Sequence, residues 1–332
     1  MKLFKLFFVI FMPLLLIAND DRPPVAYDFL AKKEVKKFIT KMVKKHHLDR
    51  KYVTDTLRHA RLDRDTLARY TGKYKVGSTS GSWERYKAHV LDKVSLQKAV
   101  NFKKEYYTTL SRASTQYNVD MNYIVGFMGV ESKFGEYTGD YNVLDALATL
   151  AFHKNRMKKF FKHELENLFL LCQEKGYNIR TLEGSFAGAI GCVQQVPSVA
   201  RKHRSDFNND GVTDPWDLED CIGSIAKFMH KNRWKNGLPA AVTTNWKGGR
   251  YTKALKPSRK KKRSLTTIKK YGIKPTQPFP ESSAYLLKTR NNTHDDIYLG
   301  SSNFAVLRRY NNATTYGVAI HLVAEHVQNT VK

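Results

Sequence analysis

The chain has 332 residues, 42% of them hydrophobic, which is enough for two or three small domains with a buried core. Its formal net charge of +27 at pH 7 indicates an anionic partner such as nucleic acid, an acidic membrane surface or a bacterial cell wall. There is no helix-turn-helix, zinc-finger or RNP pattern, so we do not expect nucleic acid to be the partner. The three cysteines show no CxxC spacing and give no support to a zinc ribbon or a redox motif. We expect them to be buried free thiols, and their spacing leaves any pairing open.

The first residues follow the pattern of a secretory signal peptide. Met1–Lys5 is basic, and Leu6–Ala18 is almost wholly apolar and ends in a small residue. The apolar stretch is short for a membrane span, and no cysteine lies nearby to carry a lipid. We therefore expect an exported, periplasmic protein that is not a lipoprotein, with association to the membrane through an uncleaved N-terminus as the alternative.

Helical spacing of apolar residues recurs along the rest of the chain. Helices are predicted at residues 28–70, 96–117, 120–134, 142–152, 156–172, 216–231 and 316–328. Short strands are predicted at residues 284–287, 296–299 and 304–310. Loops are predicted at the Gly/Ser stretch 77–82 and at the strongly basic tract 247–270.

The helix predicted from Asp120 is unusual in its composition. The Asp120 carboxylate can cap the first free backbone N–H groups, and the apolar residues that follow predict one buried face. Gly126 and Gly129 each weaken a helix by about 1 kcal/mol relative to alanine. Two such residues in one short helix indicate that something packs very close to its backbone.

Glu131 lies at the end of this apolar run, and Gly135 is predicted to end the helix. Apolar neighbours raise a carboxyl pKa because they disfavour the anion, and a general acid near neutral pH needs a raised pKa. The alternative is a surface turn in which Glu131 pairs with Lys133. The helix alone favours that alternative slightly, and the motifs further along the chain reverse the preference.

A calcium-type loop is predicted from Asp206, because the sequence D-x-N-x-D-G places oxygen ligands at alternating positions before a glycine turn. The alternative is an Asx-rich turn that binds no metal. The candidate ligands are the side chains of Asp206, Asn208 and Asp210, the carbonyl of Val212, and one of Asp217, Glu219 and Asp220.

Five motifs follow one another along the chain: Gly129–Ser132, Leu144–Leu150, Gly184–Ala189, the loop at 206–220 and Asn303–Asn311. Together, and in this order, they resemble the membrane-bound lytic murein transglycosylase B family. The resemblance spans about residues 28–328.

The resemblance implies a mainly α fold: a lysozyme-like helical core, a second helical domain and a small β-rich subdomain. The implied domains are 1–18 as signal peptide or anchor, 28–98 with the closing helix 314–330, 99–240 as the catalytic core, and 241–313 as the basic loop and β-rich subdomain.

The implied activity is cleavage of the β-1,4 bond between N-acetylmuramic acid and N-acetylglucosamine in peptidoglycan, with formation of 1,6-anhydromuramyl ends. Glu131 matches the family's catalytic glutamate and would act alone as acid and then base, assisted by the substrate's own N-acetyl group. The implied partners are peptidoglycan and enzymes of cell-wall synthesis or hydrolysis. No organic cofactor is implied, and Ca²⁺ would be structural.

Further positions match the family residue by residue. Ser185 and Gln194 match polar residues that contact the sugar, and Asp220 matches the last calcium ligand in preference to Asp217. The matched cleft residues are Tyr86, Arg156, Tyr310, Asn311 and Tyr316. The sequence departs from the family at Met157, Cys192, Gln195 and Phe228.

Three alternatives remain beside this interpretation. A lysozyme-type hydrolase would use Glu136 or Asp140 as a second carboxylate, since most glycosidases need two. A non-catalytic wall-binding protein would share the fold. A nucleic-acid-binding protein is suggested only by the charge and by the basic run at 259–263.

Overall fold

The computed structural model describes residues 23–71, 82–246, 251 and 256–331. The predicted signal peptide, most of the Gly/Ser stretch and part of the basic tract lie outside these residues. Contacts divide the chain into two compact units: unit 1 comprises the described residues of 77–134 and 222–332, and unit 2 those of 16–76 and 135–221. The domain limits given by the sequence stay a prediction, since units defined by contacts need not coincide with functional domains.

Helices dominate both units, as predicted. The α-helices of the described residues are α1 (Lys33–His46), α2 (Arg50–His59), α3 (Arg64–Thr71), α4 (Ser82–Val90), α5 (Lys93–Glu105), α6 (Tyr107–Tyr117), α7 (Met121–Ser132), α8 (Val143–Phe152), α9 (Lys158–Lys175), α10 (Pro197–His203), α11 (Leu218–Lys231), α12 (Leu265–Lys270), α13 (Ser302–Tyr310) and α14 (Thr314–Thr330). None of the described helices is long and apolar enough to cross a membrane.

The strands are short and antiparallel. They are β1 (Val25–Ala26), β2 (Arg61–Leu62), β3 (Tyr141–Asn142), β4 (Glu183–Gly184), β5 (Ala241–Thr243), β6 (Ser258–Ser264), β7 (Ser283–Arg290) and β8 (Asp295–Gly300). In unit 2, β1 pairs with β2 and β3 pairs with β4. In unit 1 the order β5-β8-β7-β6 forms one sheet, with Leu287 opposite Tyr298 in its central pair.

Unit 1 is built around α7, which packs against α14, α5 and α6. The sequence predicted one apolar face, but residues 123–128 of α7 are all buried. That prediction is wrong because neighbouring helices cover α7 on several sides. A separate apolar cluster supports the sheet: Tyr251, Ile268, Ile273, Ala284, Leu286, Ile297 and Leu299.

Unit 2 is built around α8, whose residues are all buried. The predicted apolar face of α1 packs toward it, and the Phe38 ring lies 5.7 Å from that of Phe152 and 6.0 Å from that of Phe169. The opposite face of α1 carries exposed lysines. This helix therefore shows the amphipathic pattern that the sequence predicted.

Two further predictions of local structure are wrong. Residues 304–310 form helix α13 rather than a strand, because the Ser301 hydroxyl caps it at the Asn303 N–H (3.1 Å) and it buries Phe304 and Leu307 on one face. Within the basic tract, residues 258–264 form strand β6, which pairs with β7 across a register shift, and α12 follows directly.

Candidate active site

Unit 1 places Glu131 in the last turn of α7. The Asp120 carboxylate accepts a hydrogen bond from the Asn122 N–H (2.8 Å), which confirms the predicted cap. The prediction that Gly135 ends the helix is wrong: α7 ends at Ser132, because Lys133 already takes the left-handed conformation (φ 48°). Glu131 therefore leaves the buried part of the helix at its C-terminal tip.

The two glycines of α7 allow very close packing. A Cβ on Gly126 would lie 2.6 Å from the backbone oxygen of Ile320 in α14. A Cβ on Gly129 would lie 2.8 Å from Cζ of Phe134. These contacts confirm the prediction of a close neighbour, and the contact at Gly126 lets α14, which carries Tyr316, pack directly against the backbone of α7.

The Glu131 carboxyl is surrounded by protein, although solvent reaches part of the residue. The hydroxyl of buried Tyr316 donates a hydrogen bond to Glu131 Oε1. Burial raises the pKa of Glu131 from 4.5 to about 8, and the Tyr316 hydrogen bond opposes this rise. The carboxyl is therefore mainly protonated at neutral pH and can donate a proton.

Four aromatic rings form a cluster beside this carboxyl. The rings of Tyr310 and Tyr316 are nearly parallel (7°), with centroids 6.5 Å apart. Phe127 meets Tyr310 edge-on at 5.1 Å, and Phe228 meets it edge-on at 4.8 Å. Such contacts orient the Tyr310 ring and supply the apolar surroundings that disfavour the carboxylate.

Tyr86 lies close enough to Glu131 for the carboxylate to raise its pKa, with burial as the larger cause. Its buried hydroxyl has no hydrogen-bond partner among the described residues. An unpaired hydroxyl is costly in a protein interior, and a bound ligand would give it a partner. Asn311 is also buried, and its Oδ1 accepts a hydrogen bond from the Ala313 N–H (3.1 Å) in the turn between α13 and α14.

The other predicted contacts belong to unit 2. The Ser185 hydroxyl accepts a hydrogen bond from the Ala189 N–H (3.1 Å), so it holds the small-residue turn together. Arg156 is exposed, and its guanidinium carbon lies 5.9 Å from the centroid of the Tyr70 ring.

Gln194 occupies a strained position (φ 45°) in the same unit. Its side-chain nitrogen donates to the carbonyls of Thr138 (2.6 Å) and Gly191 (3.0 Å). Its Oε1 is buried, and no described residue bonds to it. The oxygen is therefore fixed in place as an acceptor for a group such as a ligand N–H.

Two features of the sites escaped the sequence analysis. Phe127 was not singled out, although it precedes Glu131 by four residues and so lies on the same side of α7. Gln195 was noted only as a departure, yet both polar atoms of its buried amide lack a partner among the described residues. Nothing in the spacing of the sequence indicated this second amide.

The expectation of free thiols is wrong for two of the cysteines. Cys192 and Cys221 form a disulfide, and Cys172 is free and buried. The Gly191 turn brings them together because it lies directly on Pro215: a Cβ on Gly191 would be 2.0 Å from the Pro215 oxygen. Sequence spacing contains no information on that contact.

The calcium-type loop of unit 2 is organised by its own side chains. Gly211 N–H donates to Asp206 Oδ2 (3.0 Å), and the Asn208 and Asp210 side chains accept similar short-range bonds. The Oδ1 of Asp206 is buried, with no hydrogen-bond partner in the described part of the chain. A hard cation would satisfy such an oxygen.

Asp220 and Asp217 have different roles in this loop. Asp217 Oδ1 accepts from the Asp220 N–H (2.8 Å), which makes it a cap of α11. The fully buried Asp220 carboxylate accepts from the N–H groups of Phe207 (2.5 Å) and Asp214 (2.7 Å) and thus closes the loop. No group of three His, Cys, Asp or Glu side chains among the described residues is arranged to hold a metal. The loop donors, however, include an amide and a carbonyl, and all are oxygens, so the residues fit Ca²⁺.

Comparisons with known proteins agree with this architecture. The family described as "Transglycosylase SLT domain" matches residues 30–325. The membrane-bound lytic murein transglycosylase B of Escherichia coli (strain K12) is 34% identical over 307 residues, which cover 90% of this chain and 84% of that protein.

Two solved structures of the Escherichia coli lytic transglycosylase SLT35 are also similar. The complex with bulgecin A has a TM-score of 0.84 and the complex with calcium a TM-score of 0.82. Both are 32% identical and cover 92% of this chain and 96% of their own. The prediction of a mainly α, lysozyme-like fold is confirmed.

Proposed function

This chain belongs to the transglycosylase SLT domain family and is a lytic transglycosylase, and we propose that it cleaves the MurNAc–GlcNAc β-1,4 bond of peptidoglycan to leave 1,6-anhydromuramyl ends. The observation that carries this proposal is the Glu131 carboxyl, which is enclosed by protein and accepts a hydrogen bond from the buried Tyr316 hydroxyl. This burial raises the pKa of Glu131 to about 8. Among the described residues no second carboxylate perturbs it. A single protonated carboxyl favours a mechanism in which the substrate supplies the second group.

In the first step, Glu131 gives its proton to the glycosidic oxygen as the bond to C1 breaks. The N-acetyl oxygen of the same sugar bonds to C1 and takes up the developing positive charge. The Tyr316 hydroxyl, which already donates to Glu131, stabilises the carboxylate that remains. This hydrogen bond becomes stronger when the carboxyl ionises, so Tyr316 stabilises the transition state more than the ground state.

In the second step, the Glu131 carboxylate takes the proton of the C6 hydroxyl. The C6 oxygen attacks C1 and displaces the N-acetyl oxygen, which closes the anhydro ring and restores the protonated acid. No water is consumed, which distinguishes this reaction from hydrolysis. The partly exposed ring of Tyr310 offers an apolar surface against which a sugar can stack.

The other contacts of the substrate follow from the chemistry of the remaining residues. The unpaired hydroxyl of Tyr86 and the unpaired Oε1 of Gln194 suit the hydroxyl and N–H groups of an N-acetylated sugar. Exposed Arg156 suits a lactyl or peptide carboxylate. Ser185 and Asn311 hold their turns through side-chain acceptors, so we assign them a positioning role together with any contact to sugar.

Calcium would be held by the loop of unit 2. The side chains of Asp206, Asn208, Asp210 and Asp220 and the carbonyl of Val212 would be its ligands, and the buried unpaired Oδ1 of Asp206 supports this assignment. The ion would fix the loop. Melting temperature in the presence of CaCl₂ or EGTA tests it: the wild type should melt higher with calcium, and Asp206→Asn should lose most of that increase.

Export and location complete the proposal. The signal-like pattern at 1–18 and the nature of the substrate support a periplasmic protein that acts on the cell wall beside other wall enzymes. Fractionation of cells that express the full chain tests this. Recovery in the cytoplasm would contradict it, and recovery with the membrane would favour an uncleaved N-terminal anchor.

The reaction itself is tested by mass spectrometry of the soluble products after incubation with purified peptidoglycan. Wild type should release anhydromuramyl ends, and Glu131→Gln should release none. Glu136→Gln removes an exposed carboxyl and is the matched control, with activity close to wild type. Reducing muramyl ends would make the enzyme a hydrolase, and no products with sacculi still bound would indicate a binding protein.

A further inference from the structure

The edge strand of the unit 1 sheet is strongly basic. Strand β6 contains five consecutive cations, Arg259 to Arg263, and lies at the end of the order β5-β8-β7-β6. It pairs with β7 on one side only, and its register shifts between Ser258 and Arg263. Lysine on an edge strand usually prevents pairing with other strands. Five cations in succession are more than is needed to prevent such pairing, so the size of this positive charge requires another explanation.

Contacts show how these cations are arranged. Lys260 and Lys261 are exposed, whereas Lys262 makes an ion pair with Glu281 (2.8 Å) and lies 5.5 Å from the centroid of the Tyr285 ring. Among the described residues Glu281 is the acidic partner of these cations, and it is shared, because it also lies 3.8 Å from Lys235. The cations thus outnumber the carboxylates that face them among the described residues.

Helix α13 adds a further cation to this surface. Arg308 donates to the backbone oxygen of Arg259, and its guanidinium carbon lies 5.9 Å from the centroid of the Tyr285 ring. Burial and the neighbouring Arg259 charge lower the pKa of Arg308. We call Arg259, Lys260, Lys261, Lys262 and Arg308 the β6 cation cluster. Within the described residues it keeps several positive charges together beside the single carboxylate of Glu281, which is the arrangement expected of an anion-binding surface.

The same helix connects the cluster to the catalytic residues. Arg308 precedes Tyr310 by two residues, so the two side chains leave α13 on roughly opposite sides, about 200° apart. Tyr310 faces the aromatic cluster beside Glu131. The β6 cation cluster and the aromatic cluster beside Glu131 therefore lie on opposite sides of α13. A helix is roughly 10 Å across, and a long polymer bound at Glu131 extends further than that beyond the bond that is cut.

We propose that the β6 cation cluster binds the carboxylates of peptidoglycan stem peptides outside the bond-cleaving site and so holds the enzyme on the intact wall. The inference rests on the proposed function for the identity of the polymer. Arginine and lysine side chains beside one another suit peptide carboxylates through charge-assisted hydrogen bonds. Exposed contacts of this kind weaken with salt, so they allow the enzyme to move along the wall.

The test uses two pairs of adjacent exposed lysines. Lys260→Glu/Lys261→Glu reverses two charges of the cluster. Lys36→Glu/Lys37→Glu makes the same change of net charge on α1 of unit 2 and is the matched control. Both are made in the Glu131→Gln background, so that binding to purified sacculi is measured without cleavage. Circular dichroism melting confirms that each variant is folded.

We expect about tenfold weaker retention on sacculi at 0.1 M NaCl for the cluster variant, a flatter salt dependence, and little change for the control. Sacculi stripped of stem peptides should bind the parent as weakly as intact sacculi bind the cluster variant. Turnover of short soluble glycans should be unchanged when the cluster variant carries Glu131.

Three outcomes would overturn the inference. Equal losses in both lysine variants would mean that only net charge matters. Undiminished binding of the parent to peptide-free sacculi would exclude stem peptides. Stronger dependence on the cluster for anionic phospholipid vesicles than for sacculi would identify a membrane surface instead. These assays measure binding by a cleavage-deficient protein, so they are separate from the product analysis that tests the proposed reaction.

Discussion

Replacement of Glu131 by glutamine should abolish cleavage and also stabilise the protein at high pH. Glutamine keeps the shape of the side chain and can still accept the hydrogen bond from Tyr316. It never ionises, however, so it avoids the cost of placing a charge among the rings of the aromatic cluster. The catalytic carboxyl is thus expected to reduce stability in the pH range where it is charged.

The size of this effect follows from the pKa values. In the unfolded chain the Glu131 pKa returns to its ordinary 4.5, and burial in the folded protein raises it to about 8. Between these values the folded state holds one proton more than the unfolded state, so the stability of the wild type falls as pH rises. The full difference corresponds to about 5 kcal/mol at about 1.4 kcal/mol per pH unit. Because solvent reaches part of Glu131, we expect about 1–3 kcal/mol.

The measurement is urea unfolding of wild type and Glu131→Gln at pH 5, 7 and 9. Every other titrating group is common to the two proteins, so the difference between their free energies of unfolding isolates Glu131. We expect the variant to gain on the wild type steadily from about pH 5 to about pH 8 and then to keep a constant advantage. For Glu136→Gln, which removes an exposed carboxyl, the free energy of unfolding should change with pH as it does in the wild type.

A difference that is constant from pH 5 to pH 9, or one that shrinks as pH rises, would refute the reasoning. The first result would mean that the folded protein leaves the Glu131 pKa near its ordinary value. The second would mean that the carboxylate is stabilised in the fold, as a partner in an ion pair would be. In either case Glu131 would be a poor proton donor at neutral pH.

Three other predictions follow from the same contacts. Tyr316→Phe removes the hydrogen bond that lowers the Glu131 pKa, so the alkaline limit of the pH–rate profile should move up by about one pH unit while kcat falls. An unchanged limit would mean that Tyr316 does not influence the Glu131 pKa. Gly126→Ala places a methyl group against a backbone oxygen of α14. The strain of about 1–3 kcal/mol should outweigh the gain of about 1 kcal/mol in helix propensity, so the melting temperature should fall. An unchanged melting temperature would mean that α14 moves to make room for the methyl group. Cys192→Ser/Cys221→Ser opens a crosslink with a sequence separation of 29 and should cost roughly 3–4 kcal/mol on denaturant unfolding, whereas equal stability with and without reductant would show that the bond does not form.

Helix α7, which carries Glu131, is the part of the fold that the sequence predicted best. Asp120 as cap, the glycines as points of close approach and Glu131 at the end of the apolar run depend on residues within one helix. Local rules of capping, propensity and spacing apply to such a segment without knowledge of its surroundings. The calcium-type loop was predicted by the same kind of local rule, and its ligand set stays a prediction.

The errors occurred where distant contacts decide the structure. Residues 304–310 contain apolar residues that suit either a strand or a helix, and the Ser301 cap together with burial of Phe304 selected the helix. The basic tract became strand β6 because β7 offered it an edge to pair with. The pairing of Cys192 with Cys221 required the Gly191 turn to lie on Pro215.

By itself, the sequence determined the family and the mainly α class and predicted Glu131 as the acid, because each depends on residue types at fixed short spacings. The tertiary structure decided what makes that acid usable. The ring of Tyr310 in α13 and Tyr316 in α14 come from segments far along the chain from Glu131, and burial among them raises its pKa to about 8, while the Tyr316 hydrogen bond limits that rise. Spacing along the chain fixes which groups are present, whereas burial and hydrogen bonding between distant segments fix their protonation.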